Sequence, residues 1–391
     1  MNKQKIITRT ILLVSFVSFF NDIASEMLYP IMPVYLRSIG FSVLLIGPLE
    51  GLAELIAGLS KGYFGNLSDA KGKRLPFVQF GYLLSAISKP MMVIFTFPLW
   101  IFTARTTDRL GKGIRTSARD AMLSDETTTE HKGKVFGFHR AFDTLGASIG
   151  PILALIFLYF YPQQYKMLFF IAFAPGICSI VLTFFIKEKQ KISSENKTRV
   201  NFISFLKYWK KSPKIYKQII IGLLAFTLFN SSDFFLLMTL KANGMNDTWM
   251  LGTYIYYNLI YALASLPIGI LADKIGLRRT MIIGFGLFAI VYLSMGFATA
   301  LWQFAVIFLL YGLYTASTEG ISKALISNIS AKEETATAIG FYTSFASGFA
   351  FLASSIGGLL FFYSPKLMFM FSGTGVVLVV LYFVFLKMKK L

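Results

Sequence analysis

Apolar residues run in long blocks along this chain, each followed by a short polar break. Twelve blocks of helical length stand out, near 10–36, 43–64, 76–97, 99–118, 135–160, 166–186, 217–240, 248–271, 280–298, 302–325, 335–361 and 366–386. About 20 helical residues cross the ~30 Å apolar core of a bilayer, and every block meets or approaches that length. The pattern predicts an all-α membrane protein of twelve transmembrane helices. The longest polar stretch, 187–216, separates six blocks from six. It divides the chain into an N-terminal six-helix bundle (1–186), a cytoplasmic linker (187–216) and a C-terminal six-helix bundle (217–391).

A loop motif occurs twice. Gly65-Asn-Leu-Ser-Asp69-Ala-Lys-Gly72-Lys73-Arg74 follows the second block, and Gly269-Ile-Leu-Ala-Asp273-Lys-Ile-Gly276-Leu-Arg278-Arg279 follows the eighth. Asp69 and Asp273 are 204 apart, Gly137-Phe138 and Gly340-Phe341 are 203 apart, and Phe20-Asn21 and Phe229-Asn230 are 209 apart. Near-constant offsets over three elements predict two homologous, pseudo-symmetric halves. Two such halves in a membrane imply alternating access to a site between them.

Composition sharpens this picture. The chain is 55% hydrophobic and 15% charged, with 41 Phe and 19 Tyr, well short of the charge of a soluble domain. The net charge of +19 raises nucleic acid as a partner. Most of the 38 Lys and Arg, however, fall in the termini and even-numbered loops, with only Arg37, Lys166, Lys241 and Lys366 in odd-numbered loops. That asymmetry places both termini and the linker in the cytoplasm, beside anionic lipid headgroups, and leaves no basic face for nucleic acid. Lys3, Lys5 and Arg9 precede an apolar run as in a secretory leader, but no small-x-small cleavage site follows, so the run is expected to stay as the first helix. The single cysteine, Cys178, excludes an intrachain disulfide or a cysteine-rich metal site. Within the linker, NFISFLKYWKK interleaves aromatic and aliphatic residues with lysines, which suits either a helix on the cytoplasmic leaflet or a plain charged connector.

These features resemble the major facilitator superfamily over essentially the whole chain. Gly65 to Arg74 is similar to that family's loop between spans two and three, G-x-L-x-D-x-x-G-[RK]-[RK]. Arg105-Thr-Thr-Asp108-Arg109-Leu-Gly111-Lys-Gly113 resembles its span-four motif R-x-x-x-G-x-G-x-G, with Arg109 where a glycine is usual. Gly146-Ala-Ser-Ile-Gly150-Pro151 resembles a span-five motif seen mainly in antiporters. FFNDIASEMLYP and DRLGKGIRTSARDAM look like a large group of bacterial members with unassigned substrates, some relatives of which are linked to siderophore or iron handling. The resemblance implies a monomeric transporter of the bacterial inner membrane, with spans one, four, seven and ten lining a cavity. It further implies that Asp69 faces the start of span eleven and Asp273, more weakly, that of span five. Gly65, Asp69, Gly72, Lys73, Arg74, Asp120, Asp273, Arg278 and Arg279 are then gating candidates, with Lys73 and Arg74 pairing with Asp120.

Charges inside the blocks are candidates for chemistry, because a charge at mid-bilayer costs ~2.5–3.5 kcal/mol even on a lenient scale. The acids are Asp22, Glu26, Glu50, Glu54, Asp108, Asp143, Asp233 and Glu319; the bases are Lys61, Lys89, Arg105, Arg109, Lys112, Arg115, Arg140 and Lys323. Helix rise puts Asp22 roughly 21 Å above the cytoplasmic edge and Arg105 roughly 9 Å below the outer edge, the same level of the bilayer. An Asp22–Arg105 pair is expected, either as a proton-for-substrate exchange site or as a structural bridge. Glu50 and Glu54, one helical turn apart, add a further carboxylate face, with Lys89 as partner for Glu50. Glu319 and Lys323 are similarly spaced and predict mutual neutralisation. His139 titrates in the physiological range, though a lone helical histidine is more often structural.

Proton coupling is assigned to Asp22, Glu26, Glu54, Arg105, Asp108 and Arg109. Substrate contacts are assigned to Asn21, Tyr29, Arg105, Asn230, Asp233, Tyr257, Asn258, Tyr261, Tyr314, Glu319 and Lys323. No metal or cofactor is called for, and no phosphate loop or hydrolytic triad is present. The expected function is export of a small organic solute in exchange for protons. Proton-linked uptake by the same residues is the first alternative, and a non-transporting receptor or scaffold a remote one.

Overall fold

The computed structural model describes residues 6–41, 43–188, 201–245 and 247–386. Every regular element among them is helical. In chain order these are α1 (Arg9–Glu26), α2 (Met32–Ser38), α3 (Val43–Lys71), α4 (Leu75–Ile94), α5 (Pro98–Asp125), α6 (Lys132–Phe160), α7 (Tyr165–Thr183) and α8 (Tyr208–Lys211). They continue with α9 (Lys214–Phe229), α10 (Phe234–Ala242), α11 (Asp247–Ile275), α12 (Leu277–Met295), α13 (Leu301–Ile329), α14 (Thr335–Tyr363) and α15 (Pro365–Phe385). Helix is the outcome because a segment in hydrocarbon has no water to satisfy its backbone groups and must bond them internally.

Eight helices among the described residues are long and apolar enough to cross a membrane: α4, α6, α7 and α11 to α15. The other four predicted spans depart from that profile for two physical reasons. α1, α3 and α5 carry the charges noted above, which lower their apolar character. The seventh predicted span is interrupted, with α9 ending at Phe229 and α10 starting at Phe234.

The first predicted span is broken too, between Glu26 and Met32. Pro30 lies in that gap; it lacks an N–H and its ring clashes with the carbonyl four residues back. The gap in the seventh holds Asn230, Ser231, Ser232 and Asp233, short polar side chains that compete for backbone hydrogen bonds. The two breaks are equivalent: α1 and α9 end 203 residues apart, α6 and α14 start 203 apart, and α3 and α11 start 204 apart. The Asp69/Asp273 and Gly137/Gly340 pairs follow this repeat. The Phe20-Asn21/Phe229-Asn230 pairing, at 209, is out of step with it.

The chain forms two compact units. Unit 1 comprises Met1–Thr128, Phe142–Lys211 and Ala331–Ser344; unit 2 comprises Thr129–Ala141, Ser212–Ser330 and Phe345–Leu391. The first turns of α14 therefore group with first-half helices, and those of α6 with second-half helices. In unit 1 an apolar core gathers Met27, Leu28, Tyr35, Leu36, Met92 and Phe169, where the Tyr35 hydroxyl donates to the Met92 carbonyl at 2.7 Å.

Of the linker, 189–200 lie outside the described residues. The NFISFLKYWKK stretch is not one helix lying free on the leaflet. It folds as a turn leading into α8 and docks within unit 1, with Phe205 and Tyr208 buried. Phe205 lies over Gly62, Asn66 donates to Ser204 at 2.7 Å, and Trp209 stacks on Phe341 at 5.7 Å and 12°. Its aromatic rings thus find a protein surface, while Phe202, Ile203 and Leu206 stay exposed.

Candidate functional site

The densest chemistry lies in unit 1, where α5 runs between α3 and α4. Gly111 faces the Gly81 carbonyl of α4, and Gly113 faces Ala57 and Ser60 of α3, so these glycines let α5 approach both neighbours closely. Close approach brings the charges of three helices together. Lys89 of α4 pairs with Asp108 Oδ1 at 2.8 Å and donates to Ser25 of α1 at 3.1 Å. Arg105 reaches the other oxygen of Asp108 at 3.4 Å, one turn away on the same helix, and Ser88 adds a hydroxyl at 3.3 Å. Arg109, which replaces a glycine of the family pattern, pairs with Glu54 at 3.5 Å. A small cavity opens beside this group, its polar wall formed by Ser25, Ser88, Lys89, Arg105 and Asp108 and its apolar wall including Leu28, Met92 and Phe169.

One level along α5, Arg115 donates to Ser85 at 2.6 Å and lies 4.6 Å over the Tyr82 ring. Arg119 contacts Asp120 at 3.0 Å, Asp143 at 3.6 Å and Ser18 at 3.0 Å. Asp22 lies where α1 packs against Gly146 of α6, one turn beyond Asp143, with Glu26 one turn further along α1, and the Asn21 amide donates to Asp22 at 3.2 Å. The Asp22–Arg105 pair expected from height alone is not formed. α1 turns Asp22 toward α6, where Gly146 and Gly150 admit its backbone, and Arg105 takes Asp108 instead. Lys89 likewise takes Asp108; the side chain of Glu50, its expected partner, lies outside the described residues.

Both copies of the duplicated loop end in the same kind of contact. Asp69 Oδ2 accepts from the backbone N–H and the hydroxyl of Thr337, each at 2.6 Å, in the first turn of α14. Its other oxygen pairs with Arg74, which also reaches Asp125 at 3.3 Å. Burial pushes the Asp69 carboxyl above its ordinary value, against the opposing pull of Arg74 and Thr337. Asp273 accepts from the backbone N–H of Gly133 at 2.7 Å and Lys134 at 2.8 Å, in the first turn of α6. A carboxylate on the exposed N–H groups of a helix start is stabilised by those donors and the helix dipole. Gly72 supplies the left-handed residue (φ 62°) that ends α3.

Asp120 is not the partner of Lys73 and Arg74. α5 continues to Asp125, two turns beyond the predicted end, so Asp120 points inward to Arg119 while Asp125 meets Arg74. Lys73 and Arg279 are exposed. Arg278 donates to the carbonyls of Phe383 and Leu386, the latter at 2.7 Å, and so caps the end of α15. Glu188 accepts from the N–H groups of Arg74 and Leu75, the latter at 3.0 Å, at the start of α4. Thr337, Arg119, Asp125 and Glu188 carry contacts that sequence reasoning missed; their only signal was a polar residue at a helix end.

In unit 2 the break between α9 and α10 sets Asp233 against two phenols. Tyr257 donates to Oδ2 at 2.8 Å and Tyr311 to Oδ1. The Tyr257 and Tyr311 rings lie 5.3 Å apart, as do those of Tyr311 and Tyr314. Asn230 donates to Tyr314 at 3.1 Å. The Asn258 amide is spent on the Tyr254 carbonyl, at 3.0 Å, within its own helix. Glu319 pairs with Arg140 at 3.0 Å rather than with Lys323. Tyr261 and Lys323 are buried, and Tyr29 is exposed at the first break.

The comparisons with known proteins agree with this architecture. The family model described as Major Facilitator Superfamily matches residues 14–257 and 246–390. An uncharacterised MFS-type transporter of Methanocaldococcus jannaschii is 36% identical over 373 residues, covering 93% of this chain and 92% of the relative. Quinolone resistance protein NorA of Staphylococcus aureus is 23% identical over 309 residues, 70% of this chain and 77% of that protein. Among solved structures, the human organic anion transporter MFSD10 superposes with a TM-score of 0.81 at 15% identity, covering 96% of this chain and 99% of that one. The matched loops, the charged helix α5 and the repeat of helix positions have one common explanation: the chain belongs to the Major Facilitator Superfamily of transporters.

Proposed function

We propose that this protein is a secondary active transporter that exports a small organic solute in exchange for protons. The observation that carries this reading is the interlocked set of acids and bases on α1, α3, α4 and α5. Charges of this density in membrane helices are retained where they bind or move charge. Arg105 is the substrate contact within it. Lys89 already holds Asp108 at 2.8 Å, so an anionic group of the solute can take Arg105 from Asp108 without stranding that carboxylate. Asp22, Glu26, Glu54 and Arg109 complete the proton-coupling group. Asn21, Tyr29, Asn230, Asp233, Tyr257, Asn258, Tyr261, Tyr314, Glu319 and Lys323 supply the remaining substrate contacts. Mixed charge favours a zwitterion or a carboxylate, a siderophore-like compound included.

In this reading twelve helices span a bacterial inner membrane as two six-helix halves, 1–186 and 217–391, joined by the cytoplasmic linker 187–216. Both termini are cytoplasmic and the protein works as a monomer. Asp69 on Thr337 and Asp273 on Gly133 and Lys134 hold the cytoplasmic side shut and release as it opens. Proton-linked uptake is the second reading, favoured by nothing beyond the reversibility of the same residues.

The test is proton release from purified protein in weakly buffered detergent, titrated with a fluoroquinolone, citrate and other zwitterionic or carboxylate solutes, for wild type and Arg105→Gln. Solute-dependent release that is lost in the variant is the expected result. Solute binding with no proton change would overturn coupling.

A further inference from the structure

We propose that the linker segment 201–211 is a working part of the gate: Phe205 wedges the first turns of α14 onto α3 and must undock whenever Asp69 releases Thr337. The proposal rests on the gating reading of Asp69 above and adds Phe205 and Trp209, which lie outside it. Within unit 1, α3 and α14 cross backbone to backbone. A Cβ at Gly340 of α14 would sit 2.5 Å from the Lys61 carbonyl oxygen of α3 and 3.2 Å from the Ser117 hydroxyl of α5. Ser344, one turn further along α14, donates to the Gly58 carbonyl at 2.6 Å. Asp69 holds the start of the same helix through Thr337. Beyond Ser344, α14 passes into unit 2.

Gly62 leaves a slot at this crossing. The repeat of 204 pairs Gly62 of α3 with Leu266 of α11. The second copy therefore carries a side chain of its own at this point, and the first does not. Phe205 takes the place: a Cβ at Gly62 would sit 2.6 Å from the Phe205 ring and 2.7 Å from the Ser344 hydroxyl. Phe205 is 3% exposed in consequence. Its ring meets Phe341 of α14 edge-on at 6.4 Å, and Trp209 stacks on the same Phe341. Lys211 pairs with Glu334, just before α14. That pair is largely exposed and contributes little, so the buried rings carry the contact. Only Ser212 and Pro213 separate α8 from α9, the first helix of the second half. A displacement of α9 from α3 is thus passed to Phe205 within a few residues. The slot ties the two events together: parting α14 from α3 uncovers Phe205, and withdrawing Phe205 empties the crossing. The coupling is reciprocal.

The experiment is maleimide labelling of the purified full-length protein in a Cys178→Ser background. Ser117→Cys reports on the crossing of α3 and α14, and Ser204→Cys, beside Asn66, reports on the linker segment. Phe205→Ala should raise labelling of both reporters several-fold, and Phe205→Leu, which refills part of the slot, should restore most of the protection. Asp69→Asn should raise labelling of Ser204→Cys as well, a response that a merely structural Phe205 would not give. A rise confined to Ser204→Cys in Phe205→Ala overturns the proposal, because the segment then undocks without opening the crossing. So does an Asp69→Asn that exposes Ser117→Cys and leaves Ser204→Cys unmoved. If Phe205→Ala exposes both reporters and Asp69→Asn exposes neither, the wedge stands and the gating reading of Asp69 fails. If Phe205→Ala does not fold, Trp209→Ala, which removes the stack on Phe341, is read in the same way.

Discussion

Asp69 and Thr337 are 268 residues apart in the chain, and two hydrogen bonds of 2.6 Å bring backbone and side chain of one onto a single carboxylate oxygen of the other. Asp273 repeats the arrangement with two backbone donors, but its loop arginine, Arg278, is spent on the end of α15. The first contact is therefore the stronger, because Arg74 adds an ion pair to it.

Asp69→Asn keeps the shape but removes the charge that Thr337 and Arg74 hold. In a Cys178→Ser background, a reporter introduced as Ser117→Cys is buried beside Lys61. Maleimide labelling of that reporter should rise several-fold when Asp69→Asn is added. Unchanged labelling would separate the contact from any gate.

Lys89 and Asp108 are both largely buried and pair at 2.8 Å. Lys89→Met leaves Asp108 with Arg105 alone and is expected to destabilise by about 3–5 kcal/mol. Lys89→Met with Asp108→Leu should recover most of that loss, because the cost is the stranded charge rather than the missing bridge. Thermal unfolding in detergent measures both; a double variant no better than the single one argues for a pair that is net stabilising.

A Cβ at Gly150 would sit 2.7 Å from the Met27 backbone nitrogen and 2.8 Å from the Ile23 carbonyl oxygen, while one at Gly348 would meet nothing within 4 Å. Gly150→Ala should cost about 1–3 kcal/mol by forcing α6 from α1. Gly348→Ala should leave the melting curve unchanged or raise it slightly, since alanine is the better helix former.

Tyr257 and Tyr311 are the phenols on Asp233. Removing either hydroxyl leaves a half-buried carboxylate one donor short, a cost of about 1 kcal/mol. Tyr257→Phe and Tyr311→Phe should each lower the unfolding midpoint. The double variant should lose more than either alone but not their sum if the two donors act as one unit, and strict additivity would show them to be independent.

Length and apolar patterning determined most of this protein in advance. The helices and the 203–204 repeat are local or periodic properties, set by backbone hydrogen bonding in hydrocarbon and readable from spacing. The two helix-start contacts of Asp69 and Asp273 were legible as well, through the duplicated loop and its family resemblance. Ion partners were not. A height along a helix is a sum of rises, but a partner depends on rotation about the axis and on which neighbour a glycine admits. That is why Asp22 turned to α6 instead of Arg105, why Lys89 and Arg105 converged on Asp108, and why Glu319 took Arg140. Helix ends behaved the same way: α5 ran on to Asp125 and moved the partner of Arg74 by more than a turn. The sequence by itself determined which charges must be compensated, because an unpaired charge in a membrane is costly wherever it sits. Only the tertiary structure decided who compensates whom, because that choice is made by packing between helices distant in the chain.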